Sequence, residues 1–246
     1  MSDQASTIMV NTLEPQSGTT LTVGKSGQNL VVNADSLKAN VAKDAGGNAV
    51  FTSNGSGTIS GLNSGFGSAQ TLIQSQSASA SASISFTSGI DSTYKEYVFE
   101  FFNMNPATNN TYFTFQTSTD GGSNYDITLT SSAFWASHNE ANTAAELIYD
   151  NTGNYDREQQ TTFQPLTHSI QNDADASMSG ELHLFNPSST TYIKNWFAKT
   201  NTMGSGYSIN TYTAGYFNTT TALNAVQFKM WSGNITAGTI KMYGIK

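Results

Sequence analysis

Residues 94–102 read YKEYVFEFF, and this stretch decides the fold. Tyr97, Phe99 and Phe101 fall on one side of a two-residue period, with Glu96, Val98 and Glu100 on the other. An apolar row facing a charged row is the signature of a strand with one buried face. Asn103–Asn110 (NMNPATNN) reads as a turn, and Thr111–Ser118 (TYFTFQTS) as the next strand. Asp120-Gly121-Gly122-Ser123-Asn124 is a tight hairpin signal, followed by strand text at Tyr125–Leu129. Further strands are expected at Gly180–Phe185, Tyr192–Ala198, Tyr207–Thr213, Ala225–Trp231 and Thr239–Ile245. Turns at Asn186–Ser189 and Ser232–Asn234 separate some of them. Roughly eight strands at regular spacing predict an all-β head, a β-sandwich or jelly roll, over 86–246. The one candidate helix is Ser137–Ile148 (SHNEANTAAELI), whose weak periodicity also suits a long loop.

Upstream the text changes. Residues 71–85 form a Ser/Ala-rich bridge in which Ser75–Ser83 alternate Ser with Gln or Ala. Such text reads as a connector or a flat strand of small residues, and the strict period running into Ile84-Ser85-Phe86 favours the strand. Residues 1–70 hold few aromatics, and their apolar pairs (Leu21 and Val23, Leu30–Val32, Val50-Phe51, Ile59 and Leu62) are broken by Gly and Asn. Segments this short do not build a core alone. The expectation is an extended β-rich segment that folds with partner chains, with a flexible leader as the alternative. Ser36–Asp44 (SLKANVAKD) carries near-helical spacing and an N-cap serine, enough for a helical turn or two.

Composition sharpens this. The 246 residues contain 14 Phe, 11 Tyr and 3 Trp but only 11% charged residues, and roughly two in five are Ser, Thr, Asn or Gly. Disordered chains are poor in aromatics and rich in charge, so the polar excess belongs to β faces and turns. The absence of Cys excludes disulfides and thiolate chemistry. A net charge of -7 argues against nucleic-acid binding. No apolar run has the roughly 20 residues of a membrane helix. MSDQASTIMV lacks the basic and apolar regions of a secretory signal.

No constellation of residues announces a reaction. His138, His168 and His183 sit in no metal-ligand spacing, and each reads as a surface or packing residue. Neither a nucleophile elbow nor a phosphate-binding glycine loop is present. Asp120, Asp126, Asp173 and Asp175 lie in loop text. DGGSNYD superficially suggests a calcium loop, but it lacks the alternating ligands and terminal Glu of one, and a turn explains its glycines. Residues 71–150 hold eight acids against the single base Lys95, a solvated acidic face or a contact for a basic partner. Catalytic, cofactor and metal residues are therefore assigned to no position, and no receptor-binding residue is legible. Phe134-Trp135, Trp196-Phe197, Tyr207, Tyr212, Tyr216-Phe217, Trp231 and Tyr243 read mostly as core or interface, with a few free to stack on sugars.

The runs IDSTYKEYVFEFFNMNPATNN (90–110), TSTDGGSNYD (117–126) and SGELHLFNPSSTTYIKNWFA (179–198) resemble small virion proteins of tailed bacteriophages, marine ones especially. LNAVQFKMWSGNITAGTIKMYGIK (223–246) looks like the terminal strands of the same group. TIMVNTLEPQSGTTLTVG (7–24) is similar to leaders of phage tail-fibre and spike proteins. The resemblance covers most of 86–246 and implies a non-enzymatic virion protein assembled in the bacterial cytoplasm. It implies a homotrimer docked through residues 1–70 on a tail adaptor, portal-proximal or capsid protein, with the head displayed for host adsorption. It carries no catalytic residues to this chain. Capsid decoration is the alternative part, and a carbohydrate-binding module or a glycan depolymerase are the alternatives of other classes.

Overall fold

The computed structural model describes residues 41–43, 48–53, 56, 59–62, 69–150 and 155–245. The chain is all-β and divides into two units, Met1–Phe66 and Gly67–Lys246.

In the first unit β1 (Val41–Lys43), β2 (Ala49–Ser53) and β3 (Ile59–Leu62) form an antiparallel sheet in the order β1-β2-β3. The helical turn expected over Ser36–Asp44 is corrected at Val41–Lys43, which is extended and sits opposite Ala49–Thr52. Ladder pairing overrides a weak local helical spacing that includes a β-branched valine. The remainder of that segment, and the strands expected before residue 41, lie outside the described residues.

The second unit holds β4 (Gln70–Ser77), β5 (Ile84–Phe86), β6 (Glu96–Pro106), β7 (Phe113–Ser118), β8 (Leu129–Asn139) and β9 (Ala145–Tyr149). It continues with β10 (Gln164–Pro165), β11 (Met178–Phe185), β12 (Lys194–Gly204), β13 (Tyr207–Phe217), β14 (Ala225–Met230) and β15 (Ile235–Ile245). They form an eight-stranded sheet, β4-β15-β6-β11-β12-β13-β8-β9, and a four-stranded sheet, β10-β7-β14-β5. Every pairing is antiparallel.

The two sheets share one core, in a sandwich-like arrangement. The YKEYVFEFF alternation holds: Tyr97, Phe99 and Phe101 are buried while Glu96 and Glu100 are on the opposite face, half-exposed. Phe228 on β14 is the hub. Its ring lies 5.2 Å from both Phe99 and Phe101 of the large sheet and stacks on Phe113 at 5.7 Å within its own. Phe115 meets Trp196 across the sheets at 4.9 Å. Edge-to-face packing of this kind contributes about 0.5–1.5 kcal/mol per pair beyond area burial.

The strand favoured within 71–85 is present: Gln70–Ser77 is edge strand β4, hydrogen-bonded along β15, and Ile84–Phe86 is β5 of the other sheet. Two further expectations are corrected. Asp120–Asn124 is a turn but not a hairpin, because β7 belongs to the small sheet and β8 to the large one, and Tyr125–Thr128 is not strand. Ser137–Ile148 is not a helix. Ser137–Asn139 ends β8 and Ala145–Ile148 lies in β9, with Glu146 opposite Ser137. The Asn139 side chain accepts from the Thr143 and Ala144 backbone N–H groups at 2.9 and 3.0 Å. Such local bonds offer the backbone a turn in place of a helix.

Candidate functional site

Two surfaces of the second unit concentrate chemistry, one on each face of the large sheet. On its outer face the register aligns Lys241, Glu100, Glu181, Lys199, Tyr212 and Phe134 in one row across β15, β6, β11, β12, β13 and β8. Lys241 stands over the Phe102 ring at 4.9 Å and Lys199 over Tyr212 at 5.8 Å. Phe134 and Tyr212 stack at 4.9 Å, and both flank a groove that Glu181 and Lys199 also line. His183 stacks on Phe197 at 4.4 Å and its Nδ1 lies 2.5 Å from Glu96 Oε1. The alternation in GELHLF therefore does what the sequence implied: Leu182 and Leu184 go inward and His183 goes outward.

On the inner face the four strands β12, β13, β8 and β9 extend the large sheet beyond β11. Residues 155–171 return along this extension. Arg157 and Gln160 bond the start of β8, the latter in both directions with Leu129 at 2.8 and 3.1 Å. Thr200 Oγ1 donates to the Leu166 carbonyl at 2.6 Å, and the His168 backbone N–H donates to Thr211 Oγ1 at 3.0 Å. Ile170 pairs with Thr111. A cavity of about 340 Å³ remains at this end, lined in part by Trp135, Glu146, His168, Gln171 and Tyr207.

The cavity is built from residues remote in sequence. Trp135 and Ser137 come from β8, opposite Thr211 and Ile209 of β13. Glu146 comes from β9, opposite Ser137. His168 lies between two rings, stacked on Tyr155 at 5.7 Å and tilted against Trp135 at 4.8 Å. Burial pushes its imidazole below the ordinary histidine range, with Asp150 opposing the shift, so the ring is neutral at neutral pH. Burial likewise raises the Tyr155 hydroxyl far above its ordinary range, so Tyr155 stays un-ionised. Asn110, at φ 55°, accepts at Oδ1 from Gln171 Nε2 (2.7 Å) and Ser169 Oγ (3.0 Å). Trp135 Nε1 and His168 Nδ1 are buried with no hydrogen-bond partner among the described residues.

The remaining sequence candidates sit elsewhere. His138 is exposed on β8, with Nε2 3.1 Å from Asn142 Oδ1. Asp120 closes its own loop: Oδ1 accepts from Ser118 Oγ at 2.6 Å and the Asn124 N–H at 3.0 Å, and Oδ2 from Asn124 Nδ2 at 2.7 Å. These bonds, led by Ser118, hold its carboxyl down at about 2. Asp173 uses its backbone carbonyl to accept from Asn105 Nδ2 and from the Ala176 N–H. Among the described residues no three His, Asp or Glu side chains converge as a metal site. The structure brings His168 together with Trp135 and Tyr207, a grouping absent from the sequence reading because the three lie on separate strands and a return loop. Set against known proteins, the chain matches no family model, no curated protein and no solved structure.

Proposed function

We propose that this chain is a non-enzymatic structural protein of a tailed-phage virion. It is a short homotrimeric fibre or spike, docked through residues 1–70 and displaying a jelly-roll head for host-surface adsorption. The observation that carries this reading is the strand order. Eight strands taken along the chain, β4, β5, β6, β7, β10, β11, β14 and β15, divide between the sheets as β4-β15-β6-β11 and β5-β14-β7-β10. Lettered B to I, they read BIDG and CHEF, an order that supports a jelly-roll reading, the architecture of virus capsid and lectin domains. The hairpins β8-β9 and β12-β13 are insertions into that frame. Fold alone does not give function, so the resemblance of the residue runs supplies the virion part of the proposal.

Two other features fit. The histidines are engaged separately, His138 with Asn142, His183 with Glu96 and His168 in an aromatic wall, which is how structural histidines are used. In the first unit Val41 and Ile59 are 42% and 54% exposed, apolar surface that partner chains would cover.

The test is the location and mass of the full-length protein. Immunogold labelling of purified particles should mark the tail or its base, and light scattering should give three times the 26.3 kDa chain mass. Labelling across the capsid lattice would move the protein to decoration. Its absence from purified particles would end the virion reading.

A further inference from the structure

We propose that the cavity at the open end of the β8-β9 and β12-β13 insertions is a binding site for a neutral sugar. The inference deepens the adsorption reading. It rests on that reading for the source of the sugar but not for the binding itself.

Its volume of about 340 Å³ is at the lower end of small-ligand pockets, the size for one or two hexose rings. Sugars present two chemistries at once, an apolar face of C–H groups and a rim of hydroxyls. Aromatic rings with polar tips meet the first, and paired amides, hydroxyls and carboxylates meet the second. The cavity offers both. Trp135 and Tyr207 supply rings, and His168, held between Tyr155 and Trp135, backs the wall. The rim supplies the Glu146 carboxylate and the side chains of Asn110 and Gln171.

The polar groups are only partly engaged by the fold. Glu146 is exposed and its carboxylate makes no hydrogen bond or ion pair among the described residues, so its two oxygens are open to hydroxyl donors. Asn110 commits its Oδ1 to Gln171 and Ser169, which orients the amide and leaves its Nδ2 hydrogens to donate.

Charge sets the class of sugar. The lining contains no Lys or Arg, and the one carboxylate repels anions. Phosphorylated, sulfated and uronic-acid sugars are therefore disfavoured. A quaternary ammonium group is the competing ligand for rings beside a carboxylate. The amide and hydroxyl rim favours the sugar, because a tetraalkyl cation has no hydrogen bonds to exchange with it.

The experiment uses the full-length protein with nitrogen-15 labelled indoles. Three tryptophans give three indole signals, and Trp135→Phe assigns one of them. The probes are methyl glycosides of neutral hexoses, 6-deoxyhexoses and N-acetylhexosamines, with tetramethylammonium alongside. At least one glycoside should shift the Trp135 signal saturably. Glu146→Ala and Asn110→Gly should each weaken that binding about tenfold, the loss of one good hydrogen bond. Glycine suits the positive φ of Asn110, so the second variant keeps its backbone. Tyr192→Ala, on an exposed side chain outside the lining, should bind as the wild type does. No shift with any glycoside, unchanged binding in both cavity variants, or a shift with tetramethylammonium alone would each overturn the assignment. Binding by a protein that labels no particle would sink adsorption and leave the pocket standing. A virion protein that binds none of the glycosides would do the reverse.

Discussion

At the scale of single residues, the fold is concentrated in a few rings and its pH response just below neutrality in one histidine. Phe228 is fully buried and touches Phe86, Phe99, Phe101, Phe113 and Phe115, rings from three strands of both sheets. Phe228→Ala leaves a cavity that these rings cannot close without leaving their own packing. The expected cost is about 3–5 kcal/mol, read as a lower urea midpoint at constant slope. His168 gives the pH dependence. Its folded pKa lies below the ordinary 6.5 because the charged form is desolvated. Between that depressed value and 6.5 the unfolded chain binds more protons than the native one, so stability rises with pH. Stability is therefore complete above about 6.5 and is lost as pH falls from there toward the folded pKa. Thermal unfolding of the wild type should show this decline, and His168→Phe, which keeps the ring between Tyr155 and Trp135, should flatten it. An equal decline in both proteins would place the titration elsewhere.

At the scale of elements, strand pairing decides what the sequence could show. β12 and β13 are joined by Ser205-Gly206, both at positive φ (51° and 78°), with Gly204 opposite Tyr207. This is a two-residue turn of the type that prefers Asn-Gly. Ser205→Asn should therefore raise stability by roughly 0.5 kcal/mol, and Gly206→Ala should lower it by roughly 1 kcal/mol, in denaturant titrations. Strands with strong alternation, such as Tyr97-Phe99-Phe101 and Leu182-Leu184, are legible because one face is buried and the other wet. The pattern fails where that condition fails. Phe113–Ser118 is buried throughout, so its polar residues look solvent-facing and are not. Gln116 is buried and donates to the Ile127 and Thr161 carbonyls. Lys194 lies on the inner side of β12, fully buried, with Nζ donating to the Tyr192 and Thr219 carbonyls at 2.8 and 3.1 Å. In β9 the helix-forming text AEL (145–147) is held extended by its partner β8. The cavity was illegible for the same reason: Trp135, Glu146, His168 and Tyr207 meet only through non-local pairing, and Glu146 was hidden in text that suits a helix.

At the scale of the whole molecule, the boundary between the units makes a prediction that the sequence alone would have misplaced. Composition puts the break at the end of the Ser/Ala run, so that the head begins at residue 86. Pairing puts it before β4. Thr239–Ile245 of β15 is laddered to β4 on one side and β6 on the other, and β5 forms the edge of the small sheet beside β14. Ser77 and Thr239 share a hydroxyl hydrogen bond at 2.8 Å, and Gln76 donates to the Ser85 carbonyl, tying the two edge strands together. Ile84 and Phe86 are core residues at 4% and 0% exposure. Two truncations separate the boundaries. Removing residues 1–66 leaves every strand of both sheets in place, so the remaining chain should fold with an unfolding midpoint close to that of the second unit in the full protein. Removing residues 1–85 deletes β4 and the core residue Ile84, strips one side of β15, and leaves Phe86, whose ring packs on Phe99 and Phe228, without the rest of the strand that holds it. That product should be aggregation-prone, since a long edge of unpaired N–H and C=O groups is exposed next to uncovered aromatic surface. Circular dichroism and light scattering on the pair decide it. Equal stability of the two products would mean that β4 and β5 are dispensable trim, and that the head begins where the composition first placed it.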